Sequence, residues 1–98
     1  MTLIKDPAQY ETKHLHHIVD FEGKRILEIG CGEGRLIWRY ASASFFTVGL
    51  DPDKDSLRVA AIDRPSDPED KIHFANAEAE HVPFNKETFD IAILAWSL

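Results

Sequence analysis

Three glycines within five residues, Gly30-Cys31-Gly32-Glu33-Gly34, form the densest chemical signal in a chain that holds only five glycines among 98 residues. Chance places that spacing somewhere in a chain of this length about once in a hundred. Glycine adopts positive φ at little steric cost and lets a ligand approach the backbone closely. The first N–H groups of a helix have no internal partners and point at whatever lies in front of them. A glycine run between a strand and a helix is therefore a cradle for a polar ligand; the bland alternative is a tight turn whose glycines serve packing alone. Glu28 stands two residues before the first glycine. A carboxylate there repels phosphates and attracts an ammonium or sulfonium group. The dinucleotide pattern GxGxxG also fits poorly, because the third glycine falls one residue early and Arg35 stands where a glycine or alanine belongs.

The elements that must hold these residues follow from periodicity. Arg25-Ile-Leu-Glu-Ile29 is a short β-rich run that closes on Gly30, the first strand. Leu36, Ile37, Tyr40 and Ala41 share one face of a helix predicted from about Glu33 to Ala43. Phe45 to Leu50 is a second strand, and Asp51-Pro52 carries the cap-plus-proline signature of a helix running to about Ile62. Asp63 to Lys71 is a loop, Ile72-His-Phe74 with its neighbours a third strand, and Phe89 to Leu94 a fourth. The fourteen residues between Phe74 and Phe89 suffice for a crossover between parallel strands. Upstream, Asp6-Pro7 opens a helix carrying Tyr10, Leu15, Ile18 and Val19, which Glu22-Gly23-Lys24 stops. The alternation predicts one α/β domain over residues 1–98 with a leading helix within residues 1–21: a Rossmann-like parallel sheet with helices on both faces.

Composition narrows the partners. Eleven Lys+Arg against seventeen Asp+Glu give a net charge of −6, which repels phosphate backbones and argues against nucleic acid. The single Cys31 cannot form an internal disulfide and suits a reducing compartment. Met1-Thr-Leu-Ile-Lys-Asp-Pro lacks the apolar stretch of a signal peptide, and the longest apolar run, Ile91 to Trp96, is too short to span a bilayer. A cytoplasmic protein without a membrane span is expected.

The run Ile26-Leu-Glu-Ile-Gly-Cys-Gly-Glu-Gly-Arg35 resembles motif I of the class I S-adenosylmethionine-dependent methyltransferases. Ala77-Glu-Ala-Glu-His-Val-Pro-Phe84 followed by Thr88-Phe-Asp90 is similar to a stretch of that family's small-molecule branch, which holds the ubiquinone and menaquinone biosynthesis enzymes. The likeness covers roughly Val19 to Trp96. It implies S-adenosyl-L-methionine as cofactor and methyl transfer to a small-molecule acceptor. It also implies a binding set: Glu28 and the backbone of Gly30, Cys31, Gly32 and Gly34 at the methionine end, Asp51 with Pro52 beside it at the ribose hydroxyls, Glu78 at the adenine amino group, and Ala79 at the adenine through its backbone. Taken alone, Asp51 is also a helix cap and Glu78 a solvated loop carboxylate.

No catalytic residue is assigned, because displacement at carbon is accelerated largely by alignment. His81 is either a base, a lid residue or an exposed loop histidine. His14, His16 and His17 lack a third metal ligand, so no metal is expected. Tyr10 either lines the pocket or packs against the sheet. The family's sheet has seven strands in the order 3-2-1-4-5-7-6, of which four are found here, so the order 3-2-1-4 leaves the fourth strand at an open edge. The chain is then expected to be the N-terminal part of a longer protein or to form a homo-oligomer through that strand. Two further readings stay open: a non-catalytic S-adenosylmethionine-binding module or degenerate subunit that acts through association, and an NAD(P)-binding reductase fragment.

Overall fold

A computed structural model describes residues 1–5, 11–66, 70–78 and 85–95, with the backbone alone at Lys86. Its strands are β1 (Thr2–Lys5), β2 (Arg25–Ile29), β3 (Phe46–Asp51), β4 (Ile72–Asn76) and β5 (Ile91–Leu94), and its α-helices are α1 (Thr12–Ile18) and α2 (Lys54–Asp63). Single turns of 3₁₀ helix occupy Ile37–Arg39, Ala41–Ala43 and Lys86–Thr88. The five strands form one parallel sheet in the order β1-β5-β2-β3-β4.

The four strands read from the sequence keep their expected relative order, but β5 is not an open edge. Thr2 to Lys5 pair with Ile91 to Leu94 residue by residue, and Ile4 packs against the core. The N-terminal residues had been expected to lead into a helix, yet Thr2, Leu3 and Ile4 are a β-favouring run, and the bare N–H and C=O groups of β5 give it a template. That run is short enough to fall below a periodicity test. The expected homo-oligomer through the fourth strand therefore lacks its surface, because β1 occupies it.

Alternation along β2 divides the core. Ile26 and Glu28 face one side, with Leu15 of α1, Ile37, Tyr40, Ala41, Ile91 and Ile93 in one apolar cluster, and Leu57 of α2 packs against it. Leu27 and Ile29 face the other side with Leu50, Phe89, Phe46, Val48, Ala75 and Ala77. That second cluster draws on strands and the residues adjoining them, so among the described residues the helices pack on one face and not on both.

The predicted helix over Glu33 to Ala43 is replaced by the tighter 3₁₀ turns. Arg39, Tyr40, Ala43 and Ser44 donate to carbonyls three residues back, at 3.0 to 3.1 Å. The intended face survives, since Leu36, Ile37, Tyr40 and Ala41 are all buried. The β-branched and aromatic residues Ile37, Trp38 and Tyr40 are weak helix formers, and their burial rather than an α-helical ladder decides the path. Helix α2 begins later than predicted: Asp53, not Asp51, is its cap, accepting from the N–H groups of Asp55 and Ser56. Asp6, Pro7 and Tyr10 lie outside the described residues; the helix that follows them runs from Thr12.

At the amino ends of the central strands, Arg25 clamps Asp90. Its Nε and Nη2 donate to Oδ2 and Oδ1 at 3.1 and 2.9 Å, and its backbone N–H adds a third bond to Oδ2 at 2.9 Å. The guanidinium holds the Asp90 carboxyl well below the usual carboxylate range. This fork ties β2 to the start of β5, so that both carboxyl ends emerge side by side at the glycine turn.

Candidate functional site

The glycine turn leaves β2 under the control of β3. Gly30 and Cys31 both donate to the Leu50 carbonyl, at 2.8 and 3.0 Å. Gly32 donates to Asp51 Oδ2 at 2.9 Å, while the other oxygen of Asp51 accepts from Asp53 N–H at 2.8 Å. Two of the glycines serve different ends. Gly34, at φ +88°, is required by space as well as conformation, since a Cβ there would stand 2.6 Å from the Trp38 ring. Gly32, at φ +54°, faces open space, where a Cβ would meet nothing within 4 Å. The turn is thus packed at one glycine and accessible at the other.

Beside it lies an open crevice of about 410 Å³, lined by Glu28, Gly30, Cys31, Glu33, Arg35, Leu36 and Ala95. Ala95 closes the β5 side through a bond from its N–H to the Ile29 carbonyl at 2.9 Å. Arg35 reaches into solvent and pairs with Glu33 at 3.3 Å. Glu28 lies at the floor with none of its surface exposed. Its Oε1 accepts from the Tyr40 hydroxyl at 2.8 Å, and its Oε2 is buried without a hydrogen-bond partner among the described residues. Burial pushes the carboxyl up to about 8, against the Tyr40 bond, which pulls it down. The Cys31 thiol is pushed up to about 12 by burial and by the neighbouring charges of Glu28 and Asp51. It is a neutral wall, not a nucleophile.

The predicted set is brought together in part. Glu28, Gly30 and Cys31 share the crevice, and Asp51 is joined to its rim through Gly32. Pro52 is exposed beside Asp51. Glu78 is exposed on the segment leaving β4, two residues beyond Asn76. Ala79 and His81 lie outside the described residues. His14, His16 and His17 are exposed on α1, and among the described residues no three metal-binding side chains converge.

Three residues of the site were not anticipated in these roles. Gly49 faces Glu28 across the β2–β3 pairing, and a Cβ there would press on Cys31 Sγ and Ile37 at 2.8 Å each. A glycine inside a strand run is the signal that marks such a close approach. Asn76 donates from its side chain to the Asp51 carbonyl at 2.9 Å, which Ala77 N–H also reaches at 3.2 Å. Tyr40, read only as a core residue, supplies the hydroxyl on Glu28.

Residues 26–98 match the family described as methyltransferase domain. The chain belongs to this family. Its parallel sheet is that of a methyltransferase domain, and the cofactor of that family is S-adenosyl-L-methionine. Over 70 residues the domain is 36% identical to a ubiquinone biosynthesis O-methyltransferase of Aliivibrio fischeri, an alignment covering 70% of this chain and 30% of that one. A tRNA U34 carboxymethyltransferase of Colwellia psychrerythraea is 51% identical over 37 residues, 37% of this chain and 12% of the relative. Among solved structures, YcgJ from Bacillus subtilis superposes with a TM-score of 0.73 at 23% identity, covering 83% of this chain and 35% of that one. Phosphoethanolamine N-methyltransferase 1 of Haemonchus contortus, solved with phosphoethanolamine and S-adenosylhomocysteine, gives 0.75 at 16% identity over 88% of this chain and 18% of its own. The methyltransferase domain described here thus spans less than a third of the length of these curated relatives.

Proposed function

We propose that this chain is the cofactor-binding part of an S-adenosyl-L-methionine-dependent methyltransferase acting on a small-molecule acceptor. The observation that carries the reading is Glu28 Oε2, a buried carboxyl oxygen without a hydrogen-bond partner among the described residues, at the floor of a crevice beside an accessible glycine turn. A buried polar atom without a partner costs free energy that a donor from a ligand returns. The cofactor's ammonium group is such a donor. When bound, the cofactor supplies its methyl group on a positively charged sulfur that becomes neutral on transfer. The chain's residues have the work of holding and aligning. Glu28 takes the ammonium group, the backbone of Gly30, Cys31, Gly32 and Gly34 lines the methionine end, and Asp51 beside Pro52 accepts from the ribose hydroxyls. Glu78 and the backbone of Ala79 take the adenine. Charge-assisted hydrogen bonds are worth about 1.5–3 kcal/mol each, so three acids account for most of the roughly 8 kcal/mol of a micromolar complex.

The net charge of −6 favours a small acceptor over a polynucleotide. The likeness to tRNA U34 carboxymethyltransferases supports tRNA as the second reading. A cytoplasmic site of action belongs to the same proposal and is supported by the lone reduced Cys31. No helix among the described residues is long and apolar enough to cross a membrane. Calorimetric titration with S-adenosylhomocysteine beside NAD tests the cofactor assignment: micromolar binding of the first and none of the second is expected, and binding of NAD alone refutes it. Transfer of labelled methyl from S-adenosyl-L-methionine to a phenolic quinone precursor, with tRNA in a parallel arm, separates the acceptors. Cofactor binding without turnover in either arm favours a non-catalytic module.

A further inference from the structure

Tyr40 holds the crevice acid from a fixed position. It is fully buried between the two 3₁₀ turns, and its ring stacks on Phe21 with centroids 4.7 Å apart and planes 13° from parallel. Phe21 is met edge-on by His16, whose Nε2 donates to the Arg39 carbonyl at 2.7 Å. The hydroxyl that donates to Glu28 Oε1 is therefore held by ring packing on an adjoining segment, not by a mobile side chain. With Oε1 engaged, the carboxyl has one oxygen left for a ligand.

Among the described residues, its remaining surroundings offer no counter-charge. The strands flanking Glu28 place Gly49 of β3 and Ile93 of β5 opposite it. Among the described residues, the ionisable groups facing it are Tyr40 and the Cys31 thiol, with the Asp51 charge also acting on that thiol. On the crevice rim stand Glu33 and Arg35, paired with each other, Arg35 with 87% of its side chain exposed. A carboxyl so enclosed keeps its proton until a cation arrives.

We propose that Tyr40 is a positioning residue that presents Glu28 to the ligand's ammonium group, and that filling the crevice drives the carboxyl proton of Glu28 into solvent. This rests on the cofactor assignment above. In the step, the O–H bond of Glu28 breaks, its proton passes to buffer, and the carboxylate oxygen freed by that loss accepts an N–H of the ammonium group. Apparent affinity is then reduced by the fraction of chains still protonated. With the carboxyl near 8, affinity should strengthen about tenfold per pH unit up to that value and level off above it. Tyr40 eases the ionisation, so its hydroxyl extends tight binding toward neutral pH.

The test is calorimetry of the full chain with S-adenosylhomocysteine between pH 6 and 8.5, in buffers of different ionisation enthalpy, on the wild type, Y40F and E28Q. Release of close to one proton per ligand at pH 7 is expected for the wild type. E28Q should bind weakly, with a flat profile and no proton release. Y40F keeps the ring stack and loses only the donor, so it should bind about tenfold more weakly at pH 7, with a steep profile that continues to higher pH. Wild-type binding without proton release, or a Y40F deficit equal at every pH, overturns the coupling while leaving the cofactor assignment intact. Carboxyl-carbon NMR of the ligand-free chain gives a separate reading. Glu28 should titrate near 8 and higher still in Y40F; an unchanged midpoint in Y40F overturns the role of Tyr40 even if no ligand binds.

Discussion

Replacing Gly34 by alanine should destabilise the domain far more than the same change at Gly32, although both glycines have positive φ. At Gly32 the new methyl group meets open space, so the cost is conformational, about 1–2 kcal/mol for an L-residue in left-handed backbone. At Gly34 the same backbone cost applies, and the methyl group also lands 2.6 and 2.8 Å from two carbons of the Trp38 ring. Overpacking of that kind costs a further 1–3 kcal/mol, roughly, because the ring must move against Phe74, which it meets edge-on at 6.1 Å. The sum for G34A is about 2–5 kcal/mol. For a domain of this size each kcal/mol lowers Tm by about 4–8 °C. Urea unfolding of G32A, G34A and the double variant G34A/W38L measures the difference, with W38L alone as reference. The double variant should recover the packing part and leave the backbone part. Equal losses in G32A and G34A, or no recovery when the ring is removed, would refute the assignment of Gly34 to a steric contact with Trp38.

Three more outcomes follow from contacts elsewhere. Because the Asp90 carboxyl is held down in the folded chain, its contribution is present above about pH 4 and lost as pH falls further; D90N should flatten the acid limb of a stability-against-pH curve and lower stability at pH 7. Glu28 behaves in the opposite sense: its carboxyl is raised to about 8, so the ligand-free fold binds the proton more tightly than the unfolded chain, and stability should fall as pH rises from about 4.5 to 8. E28Q should remove that slope in equilibrium denaturation and be relatively more stable at pH 8. Replacing Ile4 with aspartate should detach β1 and bare the edge of β5, so light scattering should report self-association absent from the parent chain.

The sheet was legible because its strands advertise themselves twice, by β-branched and apolar runs and by the punctuation that ends them. Arg25 to Ile29 was read to the residue, and β3 and β4 within one or two. The glycine turn was legible for the same reason: glycine has few uses dense enough to put three in five positions. What escaped depends on partners distant in sequence. β1 is four residues whose strand state is set by β5, each paired with a residue 89 positions away in the chain. The segment after the turn carries a helical pattern of burial, yet burial of Ile37 and Tyr40 is satisfied equally by 3₁₀ turns, and periodicity cannot separate the two. Glu28 was read as an acid near the ligand, but its full burial and its bond to Tyr40, twelve residues on, are three-dimensional facts that no local pattern encodes.

Asp51 is bound from four directions. Its side chain receives the N–H groups of Gly32 and Asp53, and its carbonyl receives Asn76 and Ala77. One residue thereby sets the exit of β4, the entry to α2 and the height of the glycine turn. Any change at this position meets a geometric coupling: shortening, lengthening or neutralising the side chain resets the glycine turn and both neighbouring segments at once.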